Sequence, residues 1–364
     1  MMTNFLKFIS TLLVVATFFI TFNAKAQVDK KATAETKNLY KNLKVLKDNR
    51  FMFGHHFTEL SGCYPEQWVD HKDVKNKSDV YSGLGTYPML FSYDFGDKNF
   101  HKYEERIKKA YQRGGVITVS WHTSNPVTGG KSYDLKGSPV KEIMPGGKAN
   151  KQYKKWLDEI VLFAHNVAVP IIFRPLHENT GDWFWWGSSS CTPEEYKAAW
   201  RYTVDYLKKK KVHNFLYAYS PSKGEYDERY PGDEYVDICG TDFYGETNEF
   251  PDDFIAAIRK TVEFANEHNK IAALTEFGFR KGIQRCDNPK YYTDMILKPI
   301  INDPVASQIT FALTWRNNSI TKGYWVPIKG DIFFENFVEF YNHPSTLFID
   351  DNINLYQKKK IQSK

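Results

Sequence analysis

The stretch Phe173–Gly187, FRPLHENTGDWFWWG, turns an apolar run into charged groups at Arg174, His177 and Glu178, then sets Trp183, Phe184, Trp185 and Trp186 close behind. A second carboxylate, Glu276, stands in Ala273-Leu274-Thr275-Glu276-Phe277-Gly278. Two facing carboxyl groups can divide the work of splitting a glycosidic bond: one protonates the leaving oxygen, the other attacks the anomeric carbon or activates water. Aromatic rings suit the same task, because a ring covers an apolar C–H face of a pyranose while the hydroxyls bond sideways. Taken alone, each glutamate reads equally well as a loop-facing partner in a salt bridge. Their joint placement beside the aromatic run is what the salt-bridge reading fails to explain.

Such a pair needs a frame that brings distant residues to one mouth. Strand-like runs recur at Phe51–His56, Tyr87–Phe95, Gly115–His122, Pro170–Glu178, Asn214–Pro221, Val236–Gly245, Ile271–Gly278 and Gln308–Asn317. Helical patterns lie between them, as in Tyr153–Asn166, Pro193–Lys209 and Phe254–Asn269. Strands alternating with helices indicate parallel βαβ units. Eight of them in one uninterrupted domain over residues 27–364 predict an α/β fold, a single (β/α)8 TIM barrel. Several strands begin apolar and finish polar or aromatic: Gly54-His55-His56, Ser120-Trp121-His122, Thr241-Asp242-Phe243-Tyr244 and Thr314-Trp315-Arg316-Asn317. The active site of a barrel lies at that end of its strands. Glu178 and Glu276, about three βα units apart, then face each other across the mouth.

Composition fits a globular chain of 364 residues, with 42% hydrophobic and 25% charged residues. Aromatics reach 16%, an excess suited to stacking on flat ligands. Lys7, the apolar run Phe8–Phe22 and Ala24-Lys25-Ala26 read as a signal peptide over residues 1–26, with cleavage after Ala26. The run is shorter than the roughly 20 residues of a membrane-spanning helix, and no Cys follows it to carry a lipid. The expected destination is periplasmic or secreted, with no membrane span after cleavage. Removing Lys7 and Lys25 lowers the formal charge from +6 to +4, too mild for a nucleic-acid partner. Lys208–Lys211 and Lys358–Lys360 read as a solvated helix end and a frayed tail. Cys63, Cys191, Cys239 and Cys286 allow three disulfide pairings, and their spacings match no zinc pattern, so no metal and no cofactor are expected.

RPLHENTGDWFWWG, with Leu274-Thr275-Glu276-Phe277-Gly278 downstream, resembles glycoside hydrolase family 26, the β-mannanases of a clan of retaining (β/α)-barrel glycosidases. Ser120-Trp121-His122, Asp242-Phe243-Tyr244-Gly245 and Thr314-Trp315-Arg316-Asn317 continue the resemblance in order over most of residues 50–320. His177 stands where most of that clan has Asn before the acid, which departs from the clan but agrees with the family. The resemblance implies Glu178 as acid/base and Glu276 as nucleophile, with Tyr244 donating a hydrogen bond to Glu276. It implies that His122 and His177 contact sugar hydroxyls and that Trp183 and Trp315 are stacking platforms. Trp185 and Trp186 are ambiguous, with at least one in the core. Arg316 would reach a neighbouring subsite or, equally, make a structural salt bridge.

The function expected is hydrolysis of β-1,4-mannosidic bonds in mannan, galactomannan or manno-oligosaccharides, by a monomer. Release of mannobiose from chain ends is an alternative. Others are a β-glucanase or xylanase of the same clan and a carbohydrate-binding protein without turnover. The segment Thr123–Ala149, holding Lys131, Tyr133 and Lys136, is expected to be a long loop on the catalytic face that closes one end of the cleft or leaves it open.

Overall fold

The eight apolar runs form eight parallel strands in a computed structural model that describes residues 27–46, 49–69, 77–226 and 228–358. We number them β1 (Phe51–His56), β2 (Leu90–Asp94), β3 (Val116–Ser120), β4 (Ile171–Arg174), β5 (Phe215–Tyr219), β6 (Ile238–Gly245), β7 (Ile271–Phe279) and β8 (Phe311–Thr314). Each pairs with the next, and β8 returns to β1 with Met52 opposite Phe311 and His55 opposite Thr314. The sheet is therefore closed, as expected of a (β/α)8 barrel. Most strands are shorter than their apolar runs, because the polar and aromatic tails leave the ladder as loops. A two-residue strand, Thr346–Leu347, joins β1 from outside, and Ser61–Gly62 pairs antiparallel with Trp68–Val69; neither is foreseen in the sequence.

Alternation along the strands sorts the core into two sets. Met52, Leu90, Val116, Ile172, Leu216 and Ile238 belong to the cluster that fills the barrel, and the helix Ala34–Val45 seals it with Leu39 and Leu43. The opposite faces pack against the surrounding helices. These include Asn150–Val167, Pro193–Lys209 and Asp252–Glu267, close to the expected spans. Pro193–Lys209 begins where Thr192 and Glu195 cap one another, with Pro193 in the first turn. Acids open this helix and lysines close it, matching the helix dipole. The Lys208–Lys211 run is that solvated end.

Disulfides do not form. Cys63, Cys191, Cys239 and Cys286 are four buried free thiols. Their neighbours differ: Cys191 lies by the Trp186 carbonyl, Cys239 is on β6, and Cys286 meets Met295. The expected signal segment, residues 1–26, lies outside the described residues. Among the described residues no helix is long and apolar enough to cross a membrane.

Candidate active site

Strict alternation along β7 would send Glu276 away from the barrel axis. Ile271 and Ala273 point into the barrel cluster, while Leu274 packs in the outer one. Pairing with β6 then shifts: Thr241 faces Leu274, but Asp242 faces Glu276. Thr275 is thus an extra residue, a bulge that turns the next side chain inward. Its hydroxyl donates to the Thr241 carbonyl at 3.0 Å and to Asp242 Oδ1 at 2.7 Å.

Glu178 is placed by a different device. The chain leaves β4 at Arg174 and twists through Leu176 and Glu178, both in the left-handed region at φ 45° and 52°. Side-chain-bearing residues there cost about 1–3 kcal/mol each and persist where their surroundings fix them. Here Glu178 N donates to the Ser220 carbonyl at 2.7 Å, and Gly181 N donates back to the Glu178 carbonyl at 3.0 Å.

The two devices bring together Glu178, Asp242 and Glu276, with one oxygen of each within 4.8 Å of the others. Such a group could ligate a cation, but Arg174 already stands among the three. Its guanidinium donates to Glu276 Oε1, to Asp242 Oδ2 at 2.5 Å and to Ser220 Oγ at 3.2 Å. Tyr244 donates to the other Glu276 oxygen at 2.8 Å, so both oxygens of Glu276 are held. Glu178 accepts from Trp183 Nε1 at 2.9 Å. Burial, and after it the negative charge of Glu276, pushes the Glu178 carboxyl up to about 7, whereas the Trp183 N–H and Arg174 pull the other way.

The histidines form a chain behind the carboxylates. His122 lines the cleft, its Nδ1 against Asp94 and its Nε2 3.2 Å from His177 Nε2. Burial opposes a charge on His122, but Asp94 beside it raises its affinity for a proton. His177 is held well below the ordinary imidazole range, by burial first and then by Arg174. The two rings share one hydrogen bond through their Nε2 atoms, with Asp94 fixing the other side of His122. His177 is 1% exposed and lies against His122, beside the cleft.

Of the aromatic run, Trp183 and Phe184 border the cleft. Trp185 and Trp186 are both core, donating to the carbonyls of Thr123 and His177. Gly181 is required beneath Trp183, since a Cβ there would meet the ring at 2.3 Å. Trp315 lies flat on His56 at 4.1 Å and lines the cleft. Arg316 makes none of the described ion pairs. It lies over the Phe57 ring with Nε buried and unpartnered, and lines an adjoining cavity of about 460 Å³. Sequence reasoning missed Asp94, Trp325 and the bridging role of Arg174. Asp94 carried a signal, as a polar residue at a strand end; Trp325 lies beyond β8 in no motif. The Thr123–Ala149 segment contains one short helix, Pro139–Glu142, and sends Tyr133 to the cleft edge, 61% exposed.

The family model described as Glycosyl hydrolase family 26 matches residues 28–290. A mannan endo-1,4-beta-mannosidase of Bifidobacterium adolescentis is 34% identical over 79% of this chain. The chain spans 32% of that relative's length. An endo-beta-1,4-mannanase structure from Cellulomonas fimi superposes with a TM-score of 0.84 at 34% identity, covering 93% of this chain and 80% of that one. A GH26 beta-mannanase from Bacteroides ovatus gives 0.80 at 36% identity, covering 89% and 98%.

Proposed function

The chain belongs to glycosyl hydrolase family 26, and from that premise we propose that it hydrolyses β-1,4-mannosidic bonds with retention of configuration. The observation that carries the proposal is the closeness of the Glu178 and Glu276 oxygens, within 4.8 Å. Retaining pairs stand roughly 5–5.5 Å apart, whereas an inverting pair leaves room for a water between them. A Glu276 oxygen attacks the anomeric carbon, and the bond to the departing sugar breaks as Glu178 gives its proton to the leaving oxygen. The sugar is then an ester of Glu276. Esterification removes the charge that helped keep the proton on Glu178, so its carboxylate is ready to take a proton from water. The water oxygen attacks the anomeric carbon, the ester breaks, and both groups return to their starting states. Arg174 and Tyr244 hold Glu276 for the attack. Trp315, backed by His56, offers a platform to the sugar, and His122 borders the cleft where the sugar is held.

Mannan as substrate is supported by the names of the relatives. Internal cleavage is supported by the same names and by the cavity beyond Trp315. That cavity is lined by Phe57, Tyr103 and Arg316 and shares Lys322 with the cleft, which leaves room for a chain to run on. Export by the 1–26 segment and action as a monomer belong to the same reading; the mature amino terminus and light scattering test them. Reducing ends released from pure mannan, glucan and xylan test the substrate, with mannan expected to dominate. An early steep loss of galactomannan viscosity is expected. A slow loss with mannobiose dominant from the start would replace internal cleavage by chain-end release. Glu276→Ala should be inactive, while Glu178→Ala should retain turnover of an activated aryl mannobioside, whose leaving group needs little protonation. A folded Glu178→Ala equally dead on both substrates would remove Glu178 from the acid's role.

A further inference from the structure

Nine tryptophans sort by what their indole N–H groups meet. Trp183, Trp185, Trp186, Trp200 and Trp325 each donate to a protein acceptor. Trp68 turns its indole toward Asp79 inside the fold. Three remain, Trp121, Trp156 and Trp315, none of which donates to a described residue or has its N–H sealed in the core. Trp315 borders the catalytic cleft. Trp121 and Trp156 both line a second cavity, of about 510 Å³, which shares no lining residue with the cleft.

This cavity opens on the catalytic face, because its walls are the segments that follow β2 and β3: Gly96 to Lys98 on one side and Thr123 to Gly129 on the other. The neighbours Trp121 and Thr123 line it, while His122 between them turns to the cleft. The third wall is the helix Asn150–Val167, where Gln152, Trp156 and Glu159 fall at helical spacing on one face. Trp121 is 3% exposed and held by its stack on Tyr153, at 5.5 Å and 25°. Trp156 is half-buried and packs against the core. Trp156 and the nearly buried Trp121, flanked by the planar amide of Gln152 and by the carboxyl groups of Glu159 and Asp97, which also meet His101 and Lys102, match a pyranose. The half-buried Trp156 ring covers a C–H face, and planar polar groups bond the equatorial hydroxyls. The volume is in the range of small-ligand sites, about 300–1,000 Å³.

We propose that this cavity is a second, non-catalytic binding site for a short stretch of β-1,4-linked mannan, holding the polymer beside the cleft. The proposal rests on the mannanase reading for the identity of the sugar, and its geometry is independent of it. Two contacts on one chain raise retention on a polymer through effective concentration, and a short oligosaccharide gains nothing from the second.

The test uses the full chain carrying Glu276→Ala, so that bound polymer survives, and measures retention on insoluble mannan, cellulose and xylan. Trp156→Ala and, as a variant at an exposed position that packing does not need, Gln152→Ala are compared with this parent. A several-fold loss of retention on mannan with Trp156→Ala, and a smaller loss with Gln152→Ala, is expected. In the chain with Glu276 intact, both variants should keep kcat/KM on mannotetraose while losing rate on insoluble mannan. Unchanged retention in both variants would overturn the site. So would a parallel loss of kcat/KM on mannotetraose, since the residues would then act through the cleft. Failure of the unsubstituted chain to cleave mannan while Trp156→Ala still loses retention would refute the catalytic reading and leave the site standing.

Discussion

Replacing Trp183 by Phe keeps an aromatic ring above Gly181 but removes the indole N–H that reaches Glu178 Oε2 over 2.9 Å. A hydrogen bond to a charged group contributes about 1.5–3 kcal/mol when buried. Glu178 keeps part of its surface open to the cleft, so the lower end, about 1.5 kcal/mol, applies. At about 1.36 kcal/mol per pKa unit, losing this donor raises the Glu178 pKa by about one unit. The sign follows from the charge state favoured: the N–H stabilises the carboxylate, so without it the proton stays on to higher pH. The acid is active while protonated, and turnover falls as pH rises through its pKa. For the parent that alkaline limb is expected near pH 7, where burial and Glu276 push Glu178. For Trp183→Phe it should move to about pH 8 by the same one-unit estimate. The assay is kcat/KM against pH on mannotetraose, which reports the ionisation of the free enzyme and needs protonation of its leaving group. An activated aryl mannobioside serves as control, because its alkaline limb should be shallow in both proteins. A limb that stays in place in Trp183→Phe, or moves to lower pH, would refute the electrostatic role of the indole and leave Trp183 as a platform alone.

Proton NMR in the first minutes of mannan cleavage should show the β-anomer; initial α-anomer would mean inversion, and Glu276 would not be the nucleophile. Arg174→Met leaves Asp242 and Glu276 buried without their cation, so unfolding should become easier by about 3–5 kcal/mol and turnover should vanish. Denaturant midpoints matching the parent would show that the cation is not needed there. Trp315→Ala should lower catalytic efficiency on mannotetraose by more than one hydrogen bond's worth, about 0.5–1.5 kcal/mol. Unchanged kinetics in a folded variant would place Trp315 among the packing residues.

The barrel was legible because its strands carry a repeated signature, apolar at the start and polar at the end. That signature is local, and so were Glu178, Glu276, His122 and Tyr244. What stayed hidden depends on register. Nothing in Ala273-Leu274-Thr275-Glu276 marks Thr275 as a bulge; the extra residue is visible only against β6. The role of Arg174 is a relation between strands far apart in sequence. Trp185 and Trp186 look identical to Trp183 as residue types, and only the carbonyls of Thr123 and His177 assign them to the scaffold. His177 was read as facing the sugar from its place beside Glu178. It lies buried between left-handed residues at Leu176 and Glu178, and such backbone excursions have no compositional sign outside glycine. The cysteines suggested cross-links on number and compartment alone, whereas all four are free, buried thiols.

The Arg174 guanidinium has a consequence for how the chain finds its own structure. It begins on β4, leans on Ser220 just past β5, and ends on carboxylates from β6 and β7. Any one of these strands sliding by a single residue would turn its inward side chains outward. A slip of β6 or β7 would cost the buried cation one of its two carboxylates, and a slip of β4 would cost it both, at up to several kcal/mol. Four neighbouring strands are thus inspected by one side chain, and a misaligned assembly fails at the place where the chemistry is done. The contact that readies Glu276 for chemistry thus also penalises misalignment of the strands around it.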